Sequence, residues 1–149
     1  MRAVVQRVTA ARVTVEGEVT GEIGPGLVVF AAVGRDDGPQ TLSQMAEKIV
    51  GLRIFNDAEG KFNLALAEAG GSILAVSQFT LYGDARKGRR PSFIAAAPPD
   101  EARERFEQFV ACLRELGVTV ATGRFQAKMT VEVVNDGPVT ILLDSDKVF

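Results

Sequence analysis

Three hydrogen-bonding side chains cluster in the stretch LAVSQFTLYG, residues 74–83, where Ser77, Gln78 and Thr80 follow the apolar Leu74, Ala75 and Val76. A hydroxyl at the lip of a strand is a candidate nucleophile for acyl transfer, and such a nucleophile needs a base to activate it. The chain contains no histidine. That removes Ser-His-Asp and Cys-His triads, imidazole acid–base work and the usual zinc sites. A base for Ser77 or Thr80 would have to be lysine, aspartate or glutamate, and none follows Leu74 before Asp84. Backbone amides at the irregular end of a strand offer another route, because they stabilise a developing oxyanion without titrating. The plain alternative is that Ser77 and Thr80 cap a strand end while Gln78 bonds a neighbouring loop, a common use of these residue types.

Two further stretches carry unusual residues. YGDARKGRRPSF, residues 82–93, gathers Arg86, Lys87, Arg89 and Arg90 in a chain whose net charge is −2. A solvated loop is the bland reading. The sharper one is a grip on phosphates, with Tyr82 or Phe93 placed to stack a base. Such cations give salt-dependent affinity without sequence specificity. No Walker A or G-x-G-x-x-G pattern accompanies them. In NDGPVT, residues 135–140, Asp-Gly between two alternating runs predicts a hairpin. Pro138 then opens the second strand, where its missing N–H is tolerable.

These stretches need elements to hold them. The N-terminal RAVVQRVTAARVTVEGEVTGEI alternates at period two and predicts a hairpin turning at Gly17, with Val4, Val13 and Val15 inward. LVVFAAV, apolar on both faces, predicts a central strand. Pro39 opens a helix with Leu42, Met45, Ala46 and Ile49 on one face. LRIF predicts a short strand ended by the turn-rich NDAEGK, and SILAVSQFT predicts another strand. A second long helix follows PPDEARERF, capped near Asp100, ended by Gly117, with a stripe of Ala102, Phe106, Phe109, Leu113 and Leu116. KMTVEVVN, with Met129, Val131 and Val133 on one face, and VTILLD supply two last strands.

The expected architecture is α+β: one sheet-rich, mostly antiparallel or mixed, barrel-like domain over residues 1–149 with two main helices. At 46% hydrophobic and 24% charged residues, the composition fits a globular domain. No apolar run is long enough for a membrane span and no signal peptide is visible, so a cytoplasmic setting is expected. The single cysteine, Cys112, excludes an intrachain disulfide framework and reads as a buried small hydrophobe. No acidic cluster suggests a metal site, and no cofactor is expected.

The chain is similar to the D-aminoacyl-tRNA deacylases, which hydrolyse the ester of D-amino acids mischarged on tRNA. The resemblance rests on MRAVVQRV at the start, SQFTL at 77–81, RKGRRPSF at 86–93, TGRF at 122–125 and NDGPVT at 135–140, in order and at the family's spacing. It implies a cytoplasmic homodimer acting on tRNA, without membrane or DNA partners. It implies a pocket lined by Ser77, Gln78, Phe79, Thr80 and Leu81 at the subunit interface. Gly137 and Pro138 would enter from the partner with a cis bond as the chiral selector, their carbonyls holding the substrate's α-amino group. An L side chain would collide with that backbone and a D side chain would point away, so glycine would be accepted to some degree. Phe125 and Met129 match positions near the adenosine pocket, although Met129 also suits a core. Arg86, Lys87, Arg89 and Arg90 are the matching candidates for tRNA contact. Lys128 departs from the family pattern, where an acidic residue is more usual.

The residues and the resemblance converge on attack by water, with amides around Gln78 and Phe79 as the oxyanion ledge and the substrate's 2′-hydroxyl as a candidate assistant. A non-catalytic RNA-binding module using residues 86–90 is the competing reading. A small-molecule serine or threonine esterase is disfavoured by the absent histidine.

Overall fold

The first strand organises the molecule. In the computed structural model, which describes all 149 residues, β1 (Arg2–Val15) pairs with three other strands. Along one edge it is antiparallel to β3 (Gly26–Ala32) over residues 2–8 and to β2 (Glu18–Ile23) over residues 11–15. The turn to β2 is made by Glu16 and Gly17, both at positive φ, the geometry that suits a two-residue hairpin. β8 (Thr130–Asp144) runs antiparallel along the other edge.

β3 is buried along nearly its whole length because a parallel neighbour, β6 (Ser72–Ser77), covers its second edge. β7 (Val120–Thr122) adds a further parallel strand beyond β6. The mixed sheet curls until β2 approaches β7: a Cβ on Gly21 would overlap the Thr122 carbonyl. The barrel is therefore nearly closed. Its interior is a small core that includes Val8, Ala11, Val13, Val28, Leu74 and Val76.

The larger core lies between the sheet and two helices. α1 (Pro39–Val50) contributes Leu42, Met45, Ala46 and Ile49, as its period predicts. α3 (Pro99–Glu115) contributes Ala102, Phe106, Phe109, Val110 and Leu113. Burying one such side chain is worth about 1.5–3 kcal/mol. Between the long helices come a small hairpin, β4 (Phe55–Asn56) with β5 (Phe62–Leu64), and the single turn α2 (Leu66–Ala69). Cys112 is half-buried against the larger core. No helix is long and apolar enough to cross a membrane.

Three local expectations are corrected. Val4 is half-buried on the side away from the helices, opposite Phe30 and Leu142, while its neighbours Ala3 and Val5 face the larger core. The α3 stripe stops at Leu113; Leu116 lies past the last helical residue and is exposed. As expected, α3 is capped beside Asp100, at Pro98, with Asp100 and Glu101 inside the first turn beside the positive end of the helix dipole. The last two strands are one: NDGPVT makes no hairpin, because β1 is long enough to pair with both halves of β8. Gln6 pairs with Thr140 and Val8 with Asn135, so Asp136–Val139 stand opposite the single residue Arg7, with Asp136–Pro138 outward and Val139 turned into the larger core.

Candidate active site

β6 stops at Ser77, and the Gln78 N–H makes the last ladder bond, to the Ala31 carbonyl at 2.9 Å. The chain then tightens into a 3₁₀ turn, Phe79–Tyr82, closed by Leu81 N–H to Gln78 O at 3.2 Å. The Phe79 and Thr80 amides precede that first bond, and leading amides of a helical turn have no acceptor within it. They, and not the Gln78 amide, are available to a ligand. The Gln78 side-chain amide donates to the Thr80 hydroxyl.

The turn is fixed from outside. Arg2 donates to the Leu81 carbonyl at 3.1 Å while pairing with Asp144 at 3.2 Å, and its guanidinium lies 4.8 Å over the Tyr82 ring. Phe79 meets Phe93 edge-on at 5.1 Å between centroids. These ties hold an irregular strand end in one geometry, which preorganised donors require.

A cavity of about 690 Å³ opens beside the turn. Ser77, Gln78, Phe79, Phe125 and Met129 all line it, and Arg35 is its only charged residue. Thr80 is exposed just outside the lining set. Phe125 stands between the Phe106 ring at 6.3 Å and the Arg103 guanidinium at 4.8 Å. Gly123 leaves room for Met129, since a Cβ there would come 2.6 Å from its sulfur. The cavity contains no carboxylate, amine, thiol or phenol to act as a base.

The basic loop lies next to this cavity. Two backbone hydrogen bonds between Asp84 and Ser92, 2.8 and 2.9 Å, close its base. Arg86 is taken up locally: its guanidinium grips both Asp84 oxygens at 2.9 and 2.6 Å. Those bonds, with one from the Arg86 backbone, hold the Asp84 carboxyl far below the usual carboxylate range. Lys87, Arg89 and Arg90 are exposed and form no ion pair, and Lys128 is exposed too.

Gly137 and Pro138, joined by a cis peptide bond, sit exposed on the bulge of β8 and line neither cavity beside the basic loop. The bulge is rigidly held. Asn135 Oδ1 accepts the Val139 N–H at 2.8 Å and its Nδ2 donates to the Val139 carbonyl at 3.0 Å. Beneath it lies Arg7, only 6% exposed, donating from Nε to the Asp136 carbonyl at 2.9 Å and from Nη1 to the Ile54 carbonyl at 2.8 Å. Gly137 has φ +142°, and a Cβ there would lie 2.7 Å from Val139 Cγ2. Sequence reading missed Arg7. Its signal was a charged residue at an inward position of an alternating strand.

The model of the D-Tyr-tRNA(Tyr) deacylase family matches residues 4–144. The chain belongs to this family. Proteins named D-aminoacyl-tRNA deacylase from Symbiobacterium thermophilum and Desulfitobacterium hafniense are 60% and 61% identical over 149 residues, covering all of this chain and 99–100% of theirs. A solved structure described as "c-Myc DNA Unwinding Element Binding Protein" superposes with TM-score 0.91 at 40% identity, covering 97% of this chain and 98% of that one. A probable eukaryotic D-amino acid tRNA deacylase shares the fold at TM-score 0.82 and 20% identity, covering 95% and 97%. The family is one of hydrolases that cut the ester of a D-aminoacyl-tRNA.

Proposed function

We propose that the chain works in the cytoplasm as a homodimer that hydrolyses D-aminoacyl-tRNA at the cavity beside Ser77–Thr80. One observation carries the mechanism: a cavity without a side-chain base is lined by Phe79, whose leading backbone amide, with that of Thr80 just outside the lining, has no acceptor in the 3₁₀ turn. Water attacks the ester carbonyl, and its π electrons move to oxygen. The amides stabilise that oxyanion. Collapse breaks the bond to the ribose 3′-oxygen, which leaves as a hydroxyl once protonated, releasing D-amino acid and tRNA. The adjacent 2′-hydroxyl is the nearest group able to relay the water's proton. Phe125 and Met129 hold the terminal adenosine, and the basic loop meets the RNA backbone.

Chirality is read by Gly137–Pro138 of the partner subunit. Support comes from the placement of this pair: it protrudes from β8, whose outer edge has no strand partner and which exposes Val134 and Leu142. An unpaired edge of this length invites a second chain. Carbonyls held in a rigid bulge would accept the substrate's α-ammonium, an L side chain would meet backbone, and glycine would pass. Comparing release from D-Tyr-tRNA, L-Tyr-tRNA and Gly-tRNA tests this. The expected order is D fastest, glycine measurable and L negligible. Equal release from D and L would remove the selector, and no release from any would remove the enzymatic reading in favour of a passive RNA-binding module.

A further inference from the structure

We propose that a second cavity, framed by Arg35, Lys87 and Arg90, seats a phosphodiester: the one that precedes the terminal adenosine of the acylated RNA. The proposal rests on the deacylase reading and adds to it a ligand class, a location and a residue, Arg35, remote in sequence from the basic loop.

The second cavity measures about 530 Å³ and lies against the first. Their partition is the segment 92–97. Phe93, Ala96 and Ala97 line the catalytic side, whereas Ser92, Ile94 and Ala95 line the other. Arg35 lines both. Its guanidinium is anchored to that partition, with Nε donating to the Ile94 carbonyl at 2.6 Å. Its backbone is anchored as well: Arg105 donates to the Gly34 and Arg35 carbonyls at 2.8 and 2.9 Å and pairs with Glu101 at 2.9 Å. The remaining guanidinium N–H groups therefore start from a fixed platform, which lowers the entropy lost on binding an anion.

Charge bookkeeping around this cavity leaves a surplus of cations. Asp84 is its only carboxylate, and Arg86 neutralises it with two hydrogen bonds. Arg35, Lys87 and Arg90 have no carboxylate within 4.0 Å. Three unpaired cations lining one concavity, with the Ser92 hydroxyl as a further donor, fit an anion. The catalytic cavity supplies the identity of that anion. Its lining is mostly hydrophobic and takes the uncharged nucleoside with its aminoacyl ester, so the next group along the RNA is a phosphate. A phosphate leaving the first cavity across Arg35 enters the second directly.

The test measures binding of adenosine, of cytidylyl-3′,5′-adenosine and of inorganic phosphate to the whole protein by calorimetry at 50 and 200 mM salt. The dinucleotide adds only a cytidine and the phosphodiester in question. It should bind about tenfold tighter than adenosine, the scale of a charge-assisted hydrogen bond, and the gain should shrink at higher salt. Lys87→Glu with Arg90→Glu should abolish the gain while adenosine binds as before. The loop is exposed and closed at its base by backbone bonds, and an unchanged melting temperature would confirm folding. Three results would overturn the proposal: equal affinity for dinucleotide and adenosine, a gain that survives the double reversal, or inorganic phosphate binding as tightly as the dinucleotide, which would make this a free-phosphate site. Deacylation of D-Tyr-tRNA is scored separately. Its absence, with the dinucleotide gain intact, would sink the enzymatic reading and leave the phosphate site standing.

Discussion

Across the wall formed by Arg35 and residues 92–97, the catalytic cavity has one charged residue among twenty lining it, and the second cavity has four among nine. Neighbouring concavities of similar size thus differ sharply in the charge of their linings. In the first, fixed backbone dipoles stabilise charge without proton exchange with a side chain. In the second, exposed cations attract from a distance and are weakened by salt. Under the proposed mechanism the contrast separates two tasks that one charged site would confuse: chemistry falls to the backbone, and capture falls to side chains. Salt should therefore lower kcat/KM while leaving kcat nearly unchanged.

The strongest test removes a dipole from the neutral side. Phe79→Pro deletes the Phe79 amide at the first position of the 3₁₀ turn, where proline's fixed φ is tolerated and the preceding Gln78 is already non-helical at φ −143°. Single-turnover deacylation should slow by about 10²–10³, the usual cost of one oxyanion donor. Phe79→Ala removes the ring and keeps the amide, and its loss should be far smaller. Equal losses in the two variants would mean that the ring, not the amide, matters.

Next comes the bulge. At Gly137 an alanine would adopt φ +142° with its Cβ 2.7 Å from Val139 Cγ2 and 3.3 Å from Arg7 Nη2. Such strain costs about 1–3 kcal/mol, or roughly fivefold to 150-fold in the population of the intact bulge. Gly137→Ala should lower kcat/KM for D-Tyr-tRNA by about that factor and narrow the D-over-L ratio. An unchanged ratio would move chiral selection elsewhere.

On the charged side, the loop's cations should differ among themselves. Lys87→Ala removes an unpaired charge, so the slope of log(kcat/KM) against log[salt] should become shallower by about 0.7, the single-strand value for one phosphate contact. Arg86→Ala should change that slope little, because Asp84 already neutralises Arg86. Reversed ranks would show that the Asp84–Arg86 pair opens on the RNA.

How far the sequence reveals this division follows from the range of each signal. Leu42, Met45, Ala46 and Ile49 are legible because a 3.6-residue period needs only neighbours in the chain. Ser77–Phe79 are legible because polar residues interrupt an apolar strand. The β8 bulge is not, since Asp-Gly between alternating runs carries the same local signal whether the chain reverses or continues. What decides is β1, a partner more than a hundred residues away that pairs with both halves. Arg35 is invisible for a similar reason: its role depends on the carbonyl of Ile94, 59 residues distant. The basic cluster is visible as charge, but which of its members is free depends on side-chain geometry at Asp84.

The smallest expected effect bears most directly on how the chemistry is done. Thr80 has the only side-chain hydroxyl in the 3₁₀ turn apart from the buried Tyr82, and it accepts a hydrogen bond from Gln78 while exposed to solvent. If it were the nucleophile, something would have to take its proton. The cavity offers only Arg35, whose guanidinium stays protonated and has no acceptor. Thr80→Ala keeps the Thr80 amide and removes only the hydroxyl, so kcat should stay within about threefold of wild type, the scale of one exposed hydrogen bond. A fall of 10³ or more in a folded variant, with a trapped acyl-enzyme in the wild type, would return covalent catalysis to this threonine. A small loss would leave the neutral cavity doing acyl transfer with backbone alone, and Thr80→Ala set beside Phe79→Pro would separate the amides from the side chains they carry.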